Sequence, residues 1–353
     1  MKEMRSLTIG LVGCGYIGQK HLRYWRNVDR APVTAVCDTD RARAETAAKR
    51  WHIPAFYGDF SEMLKNESVS IVDICTPPEA HCALTIQALD ANRHALVEKP
   101  LVLTTEEAKR LIAAQEGSST KIFPIHNNIF DPVMVKALSL IKEGDLGEIT
   151  NVSVHMLIWS NDVRSRSEDH WSHSSPAGRI NDILPHPIYI IQGILGHKLH
   201  IRSVYAQKFG NNPLLVCDEL RVELKGGKSF ASIYASLNSV RNAFYVDVYG
   251  TAGILKMDMV DQTLVRLKQR PPSINTLHRG ADSLTQALQL FRSTAENGFS
   301  KLLGRWETGH EVIMRTSIDS ILSDTAPAVT LEEACASVEV FEQVCHQIDT
   351  AAA

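Results

Sequence analysis

An excess of charge of one sign is missing from this chain. Its 353 residues carry 37 Lys and Arg against 40 Asp and Glu, a formal net charge of −3. There is no basic tail and no repeat that interleaves basic and aromatic residues, so nucleic acid is not an expected partner. Long apolar runs are missing as well. Nothing approaches the ~18 apolar residues of a bilayer-spanning helix, and no membrane partner is expected. The opening stretch MKEMRSLTIGLVGCG has only a short apolar run, broken by glycine and followed by a charged helix, unlike a secretion leader. Paired cysteines are also missing. The seven are odd in number, form no CxxC, and include Cys14, Cys37 and Cys75 in or beside apolar, strand-like runs. The reading is buried thiols in a reducing cytoplasm. No cluster has metal-ligand spacing, so no metal is expected.

What is present is a rhythm that changes once. From Leu7 to about Ile125, short apolar runs alternate with amphipathic stretches: Leu7–Val12, Val33–Cys37, Ile71–Cys75, Ala95–Val97 and Lys121–Ile125 read as strands. That pattern means a parallel sheet covered on both faces. Thr104-Thr105-Glu106-Glu107 opens a helix with a cap. After Gly147 the runs lengthen and alternate, and Gly226-Gly227 marks a hairpin. Four to six antiparallel strands are expected there. Helices are expected at Ile188–Leu195, Ser283–Phe299, Thr308–Leu322 and near Leu331–Ile348, with Phe130–Gly147 as the bridge. The predicted fold class is α/β: an N-terminal Rossmann domain over residues 1–125 and a C-terminal α+β domain with an open, mainly antiparallel sheet over residues 126–353.

The first strand runs into GCGYIG, with Gly13, Gly15 and Gly18 ahead of a helix. Glycine permits a sharp turn and close approach to a pyrophosphate, which the helix N-terminus attracts. Asp38 ends the second strand, where a carboxylate accepts both hydroxyls of an adenosine ribose. Alternatively the glycines only pack the helix and Asp38 caps the next one; a methyltransferase shares the same features. A carboxylate there also repels the extra phosphate of NADP, by up to about 4 kcal/mol at ~4 Å and an effective dielectric near 20. NAD is therefore favoured over NADP, although Arg41 and Arg43 lie near enough in sequence to soften the preference.

The strand Ala95–Val97 ends in Glu98-Lys99-Pro100. Ligands of open parallel sheets bind beyond the carboxyl ends of the strands. An ammonium at that place can hydrogen-bond a substrate hydroxyl and ease the build-up of alkoxide as hydride leaves. Position alone equally allows a lysine snorkelling at a strand end.

Gly13-x-Gly15-x-x-Gly18, Asp38 and Glu98-Lys99-Pro100, taken together, resemble the Gfo/Idh/MocA family of nicotinamide oxidoreductases. FDP (Phe130–Pro132), GDLGEI (Gly144–Ile149), GTAGIL (Gly250–Leu255) and AVTLEEACASVEVFEQV are similar to its bridge, sheet turn and last helix, in the right order. The resemblance implies cofactor contacts from Gly13, Gly15, Tyr16, Ile17, Gly18, Asp38, Thr76, Pro77, Glu98 and Lys99. It implies an oxidoreductase moving hydride between NAD and a secondary alcohol or ketone of a sugar, cyclitol or sugar derivative. An NAD-recycling glycosidase and a non-catalytic dinucleotide-binding sensor or corepressor are the alternatives. It also implies a homodimer or homotetramer. The second-domain sheet supports this, because Phe230, Ser232, Tyr234 and Ser236 form an uncharged face opposite Ala231, Ile233, Ala235 and Leu237.

Family members often carry Asp-x-x-x-His at the start of a second-domain helix; here it is Asp182 to His186. Residues four apart share a helix face. By resemblance His186 is the base, Asp182 binds or orients a second hydroxyl, and Lys99 completes the catalytic set. Because residues before proline avoid helical geometry, Pro185 and Pro187 are expected to delay the helix to Pro187 and leave Asp182 in a turn. The family's glycines before the motif are replaced by Ala177-Gly178-Arg179. Arg179 either pairs with Asp182, points to solvent, or binds an anionic group on the substrate. In HNNIF, Asn128 is a candidate substrate contact or part of a turn. Tyr189 packs or touches substrate, and His170-Trp171 covers the substrate or lies in a solvated loop.

Overall fold

The computed structural model of the chain describes residues 7–66, 68–268 and 276–352. Residues 1–6, part of the stretch read for a leader, lie outside the described residues. Packing divides the chain into two compact units, Met1–Asn127 with Gly309–Glu339, and Asn128–Thr308 with Val340–Ala353.

The first unit is built on six parallel strands: β1 Ile9–Val12, β2 Val33–Cys37, β3 Ala55–Tyr57, β4 Ile71–Ile74, β5 His94–Val97 and β6 Ile122–Pro124, in the order β3-β2-β1-β4-β5-β6. β1 and β4 are buried along their whole length, as a sheet covered on both faces requires. The covering helices are α1 Tyr16–Trp25, α2 Arg41–Trp51, α3 Phe60–Leu64, α4 His81–Asp90 and α5 Thr105–Glu116. Asp40 and Asp59 cap α2 and α3 by accepting backbone N–H groups, and Thr104 with Glu107 forms the capping box of α5. α2 packs its alanines, Ala44, Ala47 and Ala48, against Leu11, Leu22 and Val36.

The second unit holds a seven-stranded sheet: β7 Ile149–Trp159, β8 Leu199–Gln207, β9 Glu219–Gly226, β10 Ser229–Ser239, β11 Ala243–Gly250, β12 Gly253–Asp258 and β13 Thr263–Lys268. Its order is β13-β12-β11-β7-β10-β9-β8. The neighbours are antiparallel except β7 and β10, which run parallel at the middle. Gly227, at φ +59°, makes the hairpin between β9 and β10. Helices α6 Pro132–Lys142, α7 Val163–Arg166, α8 Ile180–Ile183, α9 Pro185–Leu195 and α10 Thr276–Leu302 complete the run. Ala231, Ile233, Ala235 and Leu237 are buried, whereas Phe230 on the opposite face is 58% exposed.

Two expectations need correction. α8 already contains Asp182, and Leu184 between α8 and α9 is itself in the right-handed helical region, so the motif is helical from Ile180 onward. The prolines are tolerated because both fall in the first turn of α9, where a missing N–H breaks no bond within that helix. The second correction concerns residues 309–339, read from sequence as part of the second domain. α11 Gly309–Ser323 packs on α1 and buries Ile313, Met314 and Ile318. Lys121 Nζ donates to the carbonyls of Ser320 and Thr325 at 3.2 and 2.8 Å, which ties this segment to the start of β6. The last helix, α12 Leu331–Ala352, is shared between the two packing units at Glu339.

Candidate active site

The turn after β1 can be formed only by glycine. Gly13 sits at φ +92°, and a Cβ on it would lie 2.7 Å from the backbone of Cys75. A Cβ on Gly18 would lie 1.9 Å from the Gly13 carbonyl oxygen, so α1 could not start where it does. Gly15 faces open space. α1 differs from α2, α3 and α5 in having no side-chain cap, and like α2 it has no acid in its first turn. No side-chain cap competes with an external anion for its positive dipole end. Tyr16 is exposed and Ile17 half-buried at this helix start. Beside it, past the end of β4, the buried Thr76 hydroxyl has no hydrogen-bond partner among the described residues, and Pro77 is exposed. These features fit a dinucleotide with its pyrophosphate over the glycine turn.

Asp38 follows β2 and is buried, with its carboxylate held in place. Oδ2 accepts the Cys14 N–H and Oδ1 the Asp40 N–H, each at 2.9 Å. Arg43 Nη1 lies 3.2 Å from Oδ1 while its side chain remains half exposed. The arginine is therefore already paired with the acid whose charge disfavours a ribose phosphate. Arg41 lies over the Phe56 ring instead.

Lys99 is half-buried at the carboxyl end of β5, and its bond to Pro100 is cis. Glu98, expected as a cofactor contact, has its carboxylate in a buried polar network. Its carboxylate is buried, accepting from Lys99 N–H through Oε2 at 2.9 Å and meeting His21 Nε2 at 3.0 Å and His310 Nε2 at 3.4 Å through Oε1. The other nitrogen of His21 lies 2.9 Å from Asp73 Oδ2, which also accepts from Trp25 Nε1 at 2.7 Å. His21 is wholly buried; burial alone would strip its proton, but Asp73 and then Cys75, both against Nδ1, hold its pKa well above 6.5. Burial would likewise raise Glu98, yet the hydrogen bonds from His21 and His310 hold it well below the usual carboxylate range. A protonated histidine between two carboxylates thus underlies the Lys99 turn.

In the second unit the sequence-predicted residues form two groups. Asp182 joins an ion-pair cluster. Arg179 Nη1 lies 2.6 Å from its Oδ2, Arg164 Nη1 lies 3.6 Å away, and Asp162 is 3.4 Å from Arg164 Nε and 3.7 Å from Arg179 Nη2. Arg179 is 1% exposed, so of its three readings the solvent-facing one is excluded and the ion pair with Asp182 is present. His186, half-buried on α9, has Nδ1 2.8 Å from the Tyr189 hydroxyl. That hydroxyl donates to Asn128 Oδ1 at 2.6 Å, and Asn128 Nδ2 donates to Asp131 Oδ2 at 2.9 Å. Both ends of the Asn128 amide are thereby engaged. His170, near Arg179, has its pKa pushed down to about 4 by burial and then by that arginine.

Reasoning from sequence missed His21, Asp73 and His310. The signal for two of them is there: His21 lies on the buried stripe Gly18, Leu22 and Trp25, and Asp73 interrupts the apolar run IVDIC. Buried polar groups must find partners.

Two profiles of known families match. The one described as "Oxidoreductase family, NAD-binding Rossmann fold" covers residues 7–126, and the "GFO/IDH/MocA C-terminal domain" covers residues 134–256. D-apiose dehydrogenase of Paraburkholderia graminis is 31% identical over 137 residues, 39% of this chain and 36% of that protein. Inositol 2-dehydrogenase of Salmonella paratyphi B is 33% identical over 146 residues, 40% of this chain and 44% of that protein. The matched stretch thus spans less than half the length of either relative. A solved structure of levoglucosan dehydrogenase in complex with NADH and L-sorbose superposes with a TM-score of 0.76 at 18% identity, over 98% of this chain and 97% of that one. The two profile matches follow one another along the chain, the first over the parallel sheet with its glycine turn and the second over the seven-stranded sheet, and the chain belongs to the Gfo/Idh/MocA family, with an NAD-binding Rossmann domain at its N-terminus.

Proposed function

We propose that the chain is an NAD-dependent dehydrogenase or reductase acting on a secondary alcohol or ketone of a sugar, cyclitol or sugar derivative. The observation that carries this reading is the uncapped start of α1, with Asp38 and Lys99 at the carboxyl ends of other strands of the same sheet. Bound there, the dinucleotide supplies hydride acceptance and donation. Gly13, Gly15, Tyr16, Ile17 and Gly18 would line its phosphates, Asp38 its adenosine ribose, and Thr76 and Pro77 the stretch beyond. Lys99 would hydrogen-bond the reacting oxygen and lower the cost of negative charge on it. His186 would exchange that oxygen's proton, since imidazole titrates near neutral pH. Asp182, held by Arg179 and Arg164, would accept from a neighbouring hydroxyl, so Arg179 serves Asp182 rather than the substrate. The names of the relatives, apiose, inositol and levoglucosan dehydrogenases, support a carbohydrate-like substrate.

The experiment is a screen of polyols, inositols and aldoses, and their oxidised forms, read by NADH absorbance. Substrate-dependent formation or loss of NADH is expected. Glycoside cleavage without net NADH would replace the dehydrogenase reading by that of an NAD-recycling glycosidase. The second unit's outer face supports a homo-oligomer. Tyr205, Arg221, Tyr234, His155 and Tyr245 stand in register across five strands, and Phe230 lies exposed beside them. A monomer by light scattering at micromolar concentration would contradict it.

A further inference from the structure

We infer that Asp131, Asn128 and Tyr189 are positioning residues that fix the tautomer of His186, placing its hydrogen on Nδ1 and its lone pair on Nε2. The inference rests on the reading of His186 as the group that exchanges the substrate's proton.

The argument runs from the carboxylate inward. An ionised carboxylate only accepts hydrogen bonds. Asp131 Oδ2, 2.9 Å from the Asn128 amide, therefore orients the amide nitrogen toward itself. The opposite amide orientation would set two oxygens against each other at that distance. With its nitrogen so assigned, Asn128 turns Oδ1 toward Tyr189, whose hydroxyl lies 2.6 Å away. A phenol has one hydrogen, and this contact uses it. Asn128 also donates its backbone N–H to the same hydroxyl oxygen at 3.3 Å. His186 Nδ1, 2.8 Å from that oxygen, must then be the donor. A neutral imidazole carries one hydrogen, so Nε2 holds the lone pair.

Each contact decides the next, and the chain of decisions ends at the nitrogen a general base needs. Were the tyrosine hydrogen aimed at His186 instead, Nε2 would carry the hydrogen and the imidazole could not take a proton through it. When Nε2 takes the hydroxyl proton, the imidazolium keeps its Nδ1–H on the tyrosine oxygen, and no second proton moves. Tyr189 is 1% exposed, so water does not compete for its hydroxyl, and α9 holds the three-residue spacing to His186. Asn128 lies in a short 3-10 turn, Asn127–Phe130, and Asp131 is the residue before α6.

The test is nitrogen NMR of the full chain with labelled histidine, His186 being assigned by its loss in His186→Gln. The expected wild-type spectrum is that of a neutral Nδ1–H imidazole. Tyr189→Phe should shift the population toward Nε2–H and lower kcat roughly three- to tenfold, the worth of one hydrogen bond, with the KM for NAD unchanged. Asn128→Asp alone sets two carboxylates against each other and should lose activity. Adding Asp131→Asn restores a donor facing an acceptor and should recover both the activity and the spectrum. A wild-type Nε2–H signal overturns the inference, as does a Tyr189→Phe variant with unchanged spectrum and turnover. His186→Gln with near-normal turnover would instead sink the reading of His186 as the base, while the spectra would still decide the tautomer.

Discussion

Replacing His21 by leucine tests the buried charges beneath Lys99. The substitution removes Nδ1 from Asp73 at 2.9 Å and Nε2 from Glu98 at 3.0 Å, leaving two buried carboxylates without the cation between them. Asp73 keeps the Trp25 indole, and Glu98 keeps the Lys99 N–H and His310. Breaking a buried pair in this way costs about 3–5 kcal/mol. For a unit of this size that is about 6–20 °C in Tm. Glu98→Gln alone should also destabilise, because it takes a counter-charge from His21. In the His21→Leu background the same change should stabilise, because it removes an uncompensated charge. The pH dependence follows from the two directions of shift. Glu98 is held well below its ordinary 4.5, so its contribution is present above that pH and is lost as pH falls through the folded value. His21 is held well above 6.5, so its contribution is full below that pH and declines as pH rises toward the folded value. In the leucine variant Glu98 has lost the hydrogen bond and the charge of His21 that hold it low, so acidification costs the variant less than wild type. The gap between wild type and variant should therefore be widest between about 4.5 and 6.5 and narrow on either side. Calorimetry from about pH 4 to about pH 9 measures it. Additive losses in the double variant, or a gap that does not vary with pH, would refute the charged state assigned to His21.

Asp38→Ser should weaken NAD binding and improve NADP binding, since it removes the carboxylate and leaves Arg43 beside the ribose position; fluorescence titration with both dinucleotides checks this. Lys99→Met and His186→Ala should each lower kcat by roughly 10²–10⁴-fold while the dissociation constant for NAD stays within about twofold of wild type; turnover near normal in both would remove the proposed chemistry. Arg179→Leu should lower kcat/KM equally on acidic and neutral substrates, because Asp182 loses its 2.6 Å partner whichever substrate is offered; a loss confined to acidic substrates would make Arg179 an anion contact.

The glycine turn, the capping box of α5 and the hairpin at Gly226-Gly227 were legible because each depends on residues within a few positions of one another. β3 was not, since three half-buried residues carry no measurable alternation. The parallel pairing of β7 with β10 joins strands far apart in sequence, which no local pattern records. The apolar stripe of α11 announces burial without naming α1 as the surface it covers. At Pro185 and Pro187 the local rule pointed the wrong way, because it treats the residue before proline without regard to the position of that proline in a helix. In the candidate site, motifs named Asp182, His186, Lys99 and Asp38, whose roles are those proposed above. The supports were not found that way: the contacts of Glu98 with His21 and His310 were not foreseen, Tyr189 was left between packing and substrate, and His21 went unnoticed. A side chain's identity shows that it needs a partner, but only the fold supplies which one.

The return of residues 309–339 to the first unit also has a bearing on how the protein is made. His310 stacks on Tyr24 with ring centroids 5.0 Å apart and reaches Glu98, and Glu311 accepts from Asn27 at 2.5 Å. Asn27 and Glu311 are 284 residues apart along the chain. The Rossmann sheet emerges first, yet the segment that closes over α1 emerges only after the whole of the seven-stranded sheet. A nascent chain therefore carries an unfinished dinucleotide-binding domain, with α1 uncovered, while the seven-stranded sheet is being synthesised. Its order of birth is not its order of completion, and a gene cut at the first linker would encode a domain without its outer wall.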